Sequence, residues 1–134
     1  MCGMPTVLIE VRRQYSAAEE TSIIDAVHDA LVAAFHIPAH DKFVRLIAHE
    51  PHRFAVSAQL AQPQYRTLVS VTCFTGRSLE AKRALYSGIV KGLTALGIPG
   101  DHVTITIHEV DLPNWGIHGG QPASEVDLGF TVQV

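Results

Sequence analysis

Histidine offers the most varied chemistry in this sequence, and there are eight of them. Their spacing argues against a metal centre. His36 and His40 are four residues apart, but Pro38 between them breaks the helical face that such a pair needs. His49 and His52 flank Pro51, neither cysteine joins them, and no H-E-x-x-H occurs. His28 sits at helical spacing from Ile24 and Leu31, where a hydrogen-bonded, half-buried histidine is the ordinary outcome. Cys73 alternates into an apolar strand and reads as core. Gly119-Gly120 does not lie between a strand and a helix, as a phosphate-cradling loop would. Arg77 is better placed for chemistry. It directly precedes Ser78, a helix N-cap, and a helix start reinforces the binding of an anion.

The elements that must position these residues follow from apolar periodicity. Thr6–Val11 (TVLIEV) is short, β-branched and apolar, and predicts a strand. Ser16 and Glu19 form a capping box, after which Ile24, Val27, Leu31 and Phe35 recur at helical spacing. Pro38 stops that helix near His36. Phe43–His49 predicts a second strand, and the stretch from Glu50 to Arg66 a long, partly extended connection. Thr67–Phe74 predicts a third strand. A second helix begins after Ser78, buries Leu85, Ile89, Leu93 and Leu96, and ends at Gly97 and Pro99. Val103–Val110 alternates as a strand. The Gly- and Pro-rich stretch around Trp115 is a loop, and Leu128–Val134 predicts a short final strand.

At 134 residues, the chain is expected to form a single domain over 1–134. Hydrophobic residues make up 47% and charged residues 17%, which excludes extended disorder. A net charge of −3 disfavours a nucleic-acid binder that relies on positive charge. Two cysteines cannot make a disulfide framework, no apolar run is long enough to span a membrane, and the first residues do not resemble a secretory signal. A cytoplasmic protein without nucleic-acid or membrane partners is expected.

The two halves of the chain repeat. At an offset of 62 residues Val7 meets Val69, Ile9 meets Val71 and Ser16 meets Ser78. At the helix exits His36-Ile37-Pro38-Ala39 matches Gly97-Ile98-Pro99-Gly100, one residue out of step. Two β-α-β units, about 5–50 and 67–110, are followed by a loop and short strand over 111–134. The fold class is therefore α+β, a four-stranded mixed sheet with two helices on one face. Both faces of the strands read as apolar, so a homo-oligomer with packed sheets is expected, unless residues 50–66 and the C-terminal tail cover the second face.

Four stretches carry a resemblance: Met4-Pro5 immediately before the first strand, IIDAVHDALVAAFHIPAHDKF from Ile23 to Phe43, GRSLEAKRALY from Gly76 to Tyr86, and NWGIHGGQPASEVDLGF from Asn114 to Phe130. In this order, on a repeated β-α-β chain, they resemble the tautomerase superfamily, which includes 4-oxalocrotonate tautomerase and malonate semialdehyde decarboxylase. The length is similar to that of long-chain members, which are typically trimers, so the resemblance implies a homotrimer. It also implies a tautomerase that needs no cofactor or metal and acts on a small carboxylate, a 2-oxo acid. In that family an N-terminal proline is the working group. Its secondary amine, with a pKa lowered by an apolar pocket and nearby cations, moves a proton between carbon and oxygen.

Carried over residue by residue, Pro5 is the acid/base once it begins the chain, as translation from Met4 and loss of that methionine would allow. Arg77 matches the arginine that binds the substrate carboxylate. Asp41 matches an aspartate that decarboxylases use to handle water or a proton, with a turn-forming loop residue as the plainer reading. His28 and Trp115 resemble residues that shape the pocket, and Arg12 could supply a second cation. Decarboxylase-like members carry a second arginine in the turn of Arg77, where this chain has Thr75. Two other outcomes stay open: hydratase, dehalogenase or decarboxylase chemistry on a 3-carbon acid, or a non-catalytic trimeric binding protein if the residues before Pro5 are retained.

Overall fold

The computed structural model of the protein describes residues 5–129 and 131–134. The first unit is β1 (Thr6–Val11), α1 (Ala17–Phe35) and β2 (Val44–Ala48). The second is β3 (Thr67–Phe74), α2 (Leu79–Ala95) and β4 (Val103–Val110). A two-residue pair, β5 (Gly116–Ile117) and β6 (Gln121–Pro122), follows. The main sheet has the order β2-β1-β3-β4. Each unit pairs its own strands in parallel across its helix, and the two units meet antiparallel through β1 and β3. Val7 pairs with Val71 and Ile9 with Val69, so each pair is the image of the other under the 62-residue offset. Leu8 pairs with Ser70, its own counterpart, and a pseudo-twofold axis passes there.

Local signals set the helix limits. Ser16 accepts from the Glu19 amide at 3.1 Å while the Glu19 carboxylate accepts from the Ser16 amide at 2.9 Å. At the other end His36 takes φ 55, a left-handed cap, two residues before Pro38. In α2 the Ser78 side chain accepts from the Ala81 amide. Gly97 (φ 93) turns the chain there, and Ile98 donates back to Leu93 O.

Val7, Ile9 and Val11 of β1 and Val69, Val71 and Cys73 of β3 bury against Ile23, Val27 and Leu31 of α1 and Leu85, Ile89 and Leu93 of α2. The helices touch each other through small residues. A Cβ on Gly92 would come within 3.2 Å of Ala26 Cβ, and one on Gly88 within 3.3 Å of Ala30 Cβ.

Four expectations are corrected. Ile23, not Ile24, is the fully buried start of the α1 stripe; Ile24 is half-buried. Leu96 is 45% exposed, because the helix ends at Ala95 and the chain turns before it can pack inward. The outer sheet face is not broadly apolar. It presents Thr6, Leu8 and Glu10, then Leu68, Ser70 and Thr72, with Thr104, Thr106 and His108 on β4. Residues 50–66 form two 3-10 turns and border a corner of that face, at Glu10 and Leu68. The final strand is absent among the described residues of 128–134, and Phe130 lies outside them. The tail finds no ladder there; instead Ser78 N–H donates to Val134 O at 3.0 Å.

Gly92→Leu is expected to lower the unfolding free energy by about 1–3 kcal/mol, since the close approach of α2 to α1 leaves no room for a side chain. Urea unfolding followed by circular dichroism checks it. An unchanged midpoint would show that the helices separate without cost.

Candidate active site

One end of the sheet is where β1 and β2 begin and β3 and β4 finish, as the pairing directions require. Most of the residues singled out in the sequence lie at this end. Pro5 is buried at the entry to β1. The register that pairs Thr6 with Thr72 sets it opposite Cys73, on the side that faces the helices. Asp41 precedes β2, Arg77 follows β3, and Trp115 follows β4.

Arg77 is 6% exposed. Its Nη1 donates to Phe74 O at 3.0 Å. Its Cζ lies 4.8 Å from the centroid of the Phe35 ring, a cation–π contact. Nε and Nη2 are buried and have no hydrogen-bond partner among the described residues. Burial pushes the guanidinium pKa down, and Cys73 and Glu109 pull it back. Arginine starts so high that the group stays charged. Two N–H donors on one side of a planar, desolvated cation match the geometry of a carboxylate.

The turn that carries Arg77 is tightly held. Gly76 has φ 142, and a Cβ there would meet Gln133 Cγ and Val132 Cγ1, each at 3.1 Å. The C-terminal tail thus packs against this turn. Burial pushes the Cys73 thiol up, with Arg77 pulling the other way, so the nearby sulfur stays protonated rather than a nucleophile.

Asp41 is 3% exposed. It lines a cleft of about 310 Å³ with Pro38, His40, His118, Asp127, Leu128 and Gly129. His28 is buried in α1, and its Nε2 lies 2.8 Å from Ala39 O. A carbonyl only accepts, so Nε2 carries a proton, and Nδ1 is buried without a partner among the described residues. His28 therefore ties the helix to the turn that holds Asp41. Trp115 Nε1 donates to Val110 O at 2.9 Å, and its ring meets Phe74 edge-on at 5.3 Å. Phe74, Ile117 and Ala123 form a small second core around it, with Leu128 and Val132 packed alongside.

Arg12 is at the far end of β1, about 20 Å from Pro5 at the usual strand rise, and its Nε donates to Phe54 O at 3.0 Å. Within one chain it lies at the opposite end of β1 from Pro5. The sequence reading also missed Phe35 as the ring under Arg77, and His118 and Asp127 in the cleft. His118 adopts φ 50, which only the following Gly119-Gly120 hinted at.

A sequence profile of the family described as "Tautomerase enzyme" matches residues 41–118. A probable tautomerase of Ralstonia nicotianae is 40% identical over 53 residues, which cover 39% of this chain and 76% of that protein. The 2-hydroxymuconate tautomerase of Comamonas testosteroni is 42% identical over 45 residues, covering 33% and 71%. Among solved structures, malonate semialdehyde decarboxylase inhibited by 3-bromopropiolate superposes with a TM-score of 0.77 and 32% identity over 90% of this chain and 93% of its own. A native fused 4-OT gives 0.82, at 22% identity over 94% and 100%, a likeness of fold. No helix among the described residues is long and apolar enough to cross a membrane.

Arg77→Met is expected to keep the fold and raise its unfolding free energy by about 1–3 kcal/mol, because it removes a buried cation with unpartnered donors. Chemical denaturation measures this. A loss of that size would show that the guanidinium stabilises the fold, which would contradict a ligand-binding role.

Proposed function

The chain belongs to the tautomerase family, and we propose that it interconverts keto and enol forms of a small 2-oxo acid, without a cofactor, through the amine of Pro5 at the start of the mature chain. The observation that most supports this reading is the buried Arg77 fork, with Nε and Nη2 unpartnered among the described residues, at the end of the sheet where β1 begins. Arg77 holds the substrate carboxylate. The neutral Pro5 amine takes a proton from the carbon beside the ketone, and the electron pair moves onto the carbonyl oxygen. The ammonium then returns the proton at another position, so an isomer leaves and the enzyme is unchanged. The Arg77 charge favours the electron-rich intermediate and disfavours the ammonium form of Pro5, which keeps the base free near neutral pH. Trp115 and Phe74 shield this end from water, and His28 positions the turn of Asp41.

The name of the Comamonas relative suggests 2-hydroxymuconate, a dicarboxylate enol, as the first substrate to try. A second reading rests on Asp41, which is buried in the cleft: decarboxylation or hydration of a 3-carbon 2- or 3-oxo acid, with Asp41 handling water or a proton. We assign a trimer, on the likeness to fused 4-OT structures described as trimers and on the half-open outer sheet face.

The test compares protein beginning at Pro5 with protein that retains the preceding residues, each assayed by the ultraviolet loss of 2-hydroxymuconate. Activity is expected only for the first, and Pro5→Ala in that form should lower kcat/KM by about 10²–10⁴-fold. Equal rates from both forms would overturn the proline mechanism. Release of carbon dioxide instead of an isomer would select the second reading.

A further inference from the structure

The pseudo-twofold that relates the two units gives the molecule two ends of similar construction, and only one carries Pro5 and Arg77. The 62-residue offset places Thr67 where Pro5 stands, Val11 where Cys73 stands and Tyr15 where Arg77 stands. The helix exits, matched one residue out of step, place Leu96 where Phe35 stands and Ile98 where Ile37 stands. At the first end the Phe35 ring lies under the guanidinium. At the second end the shorter Leu96 is 45% exposed. A cleft of about 270 Å³ remains there, lined by Tyr15, Ala18, Glu19, Ser22, Ile23, Leu96 and Ile98.

The chemistry of this cleft is different from that of the first end. The Tyr15 hydroxyl is buried and has no hydrogen-bond partner among the described residues. A buried hydroxyl without a partner costs stability, so it marks a place where an outside group can be bound. Burial also pushes the Tyr15 phenol up, with Arg13 pulling back, so the group stays neutral and keeps its proton to donate. Arg13 holds the ring from outside, with Cζ 5.8 Å from its centroid and 5.0 Å from that of Tyr65. Glu19 stands at the rim. The Ser16 amide donates to its carboxylate and holds it ionised, so an anion is repelled from the cleft. Thr67, in the place of Pro5, donates its hydroxyl to Tyr65 O at 2.9 Å and offers no base.

We infer that this second end is a binding site, without catalysis, for a small neutral molecule with an apolar body and one oxygen that meets the Tyr15 hydroxyl. Ile23, Ile98 and Leu96 take the body, and the hydroxyl fixes its orientation. One scaffold then presents a cationic site for carboxylates at one end and, at the other, a site with a neutral phenol inside and the Glu19 carboxylate at its rim. This inference stands independently of the reaction proposed for Pro5.

The experiment titrates the full-length, assembled protein with phenol and, separately, with benzoate, following backbone amides by ¹⁵N–¹H NMR. The single Trp115, at the opposite end, reports on the first site. Phenol is expected to shift the amides of Tyr15, Ala18, Ser22 and Ile98 and leave the Trp115 indole unmoved, and benzoate to leave those four amides unmoved. Tyr15→Phe is expected to weaken phenol binding about five- to tenfold while the protein melts no lower than the parent. Ser22→Trp, which fills the cleft from the helix surface, should abolish the four shifts. Phenol shifts confined to Trp115, no shifts at millimolar phenol, or equal affinity in Tyr15→Phe would each overturn the site.

Discussion

A guanidinium held over a phenylalanine ring, out of water and donating to a backbone carbonyl, is the constraint around which this molecule is arranged. Arg77 is costly to keep there. Two of its donors lack partners among the described residues, and Phe74 O and the Phe35 ring offset part of the lost hydration. The position is held from several directions. The end of β3 fixes the backbone, α1 brings the ring, and the tail packs over Gly76, where a side chain would collide. The close contact of α1 and α2 through Ala26, Ala30, Gly88 and Gly92 lets the end of α1 approach the start of α2. A charge kept in this way is already desolvated before any anion arrives, which makes its attraction stronger than at an open surface.

The internal repeat explains how such a site can be built and varied. The same β-α-β plan, applied twice, produces two helix starts at opposite ends of the sheet. Changes at two equivalent positions, arginine to tyrosine and phenylalanine to leucine, replace a buried cation over a ring with a neutral phenol beside an exposed leucine. The small core of Phe74, Ile117 and Ala123 has no counterpart in the repeat. Ile117 and Ala123, from the chain after β4, pack on Phe74 at the end of β3, and the cluster lies at the Arg77 end.

Much of this was legible in the residues because it depends on local physics. The limits of β1, β3 and β4 coincide with their alternating β-branched runs, and both helix starts follow from Ser16 and Ser78. Arg77 stood out because it sits beside a helix cap. What stayed hidden depends on contacts distant in sequence. Nothing local says that Leu96 lies past the end of its helix packing, or that Leu128–Val134 meets the α2 turn rather than a strand edge. Alternation alone marked the outer face as apolar, while Ser70, Thr72, Thr104 and Thr106 make it mixed. Arg12 looked available from its type, but six residues of strand carry it to the other end, where Phe54 O engages it.

The most direct test of the central claim, that a buried Arg77 tunes Pro5, is the titration of the Pro5 amine by ¹⁵N NMR in protein that begins at that residue. A pKa clearly below that of an N-terminal proline in a short peptide is expected, rising back toward it in Arg77→Met. A Pro5 amine that titrates like the free peptide, in both forms, would contradict it.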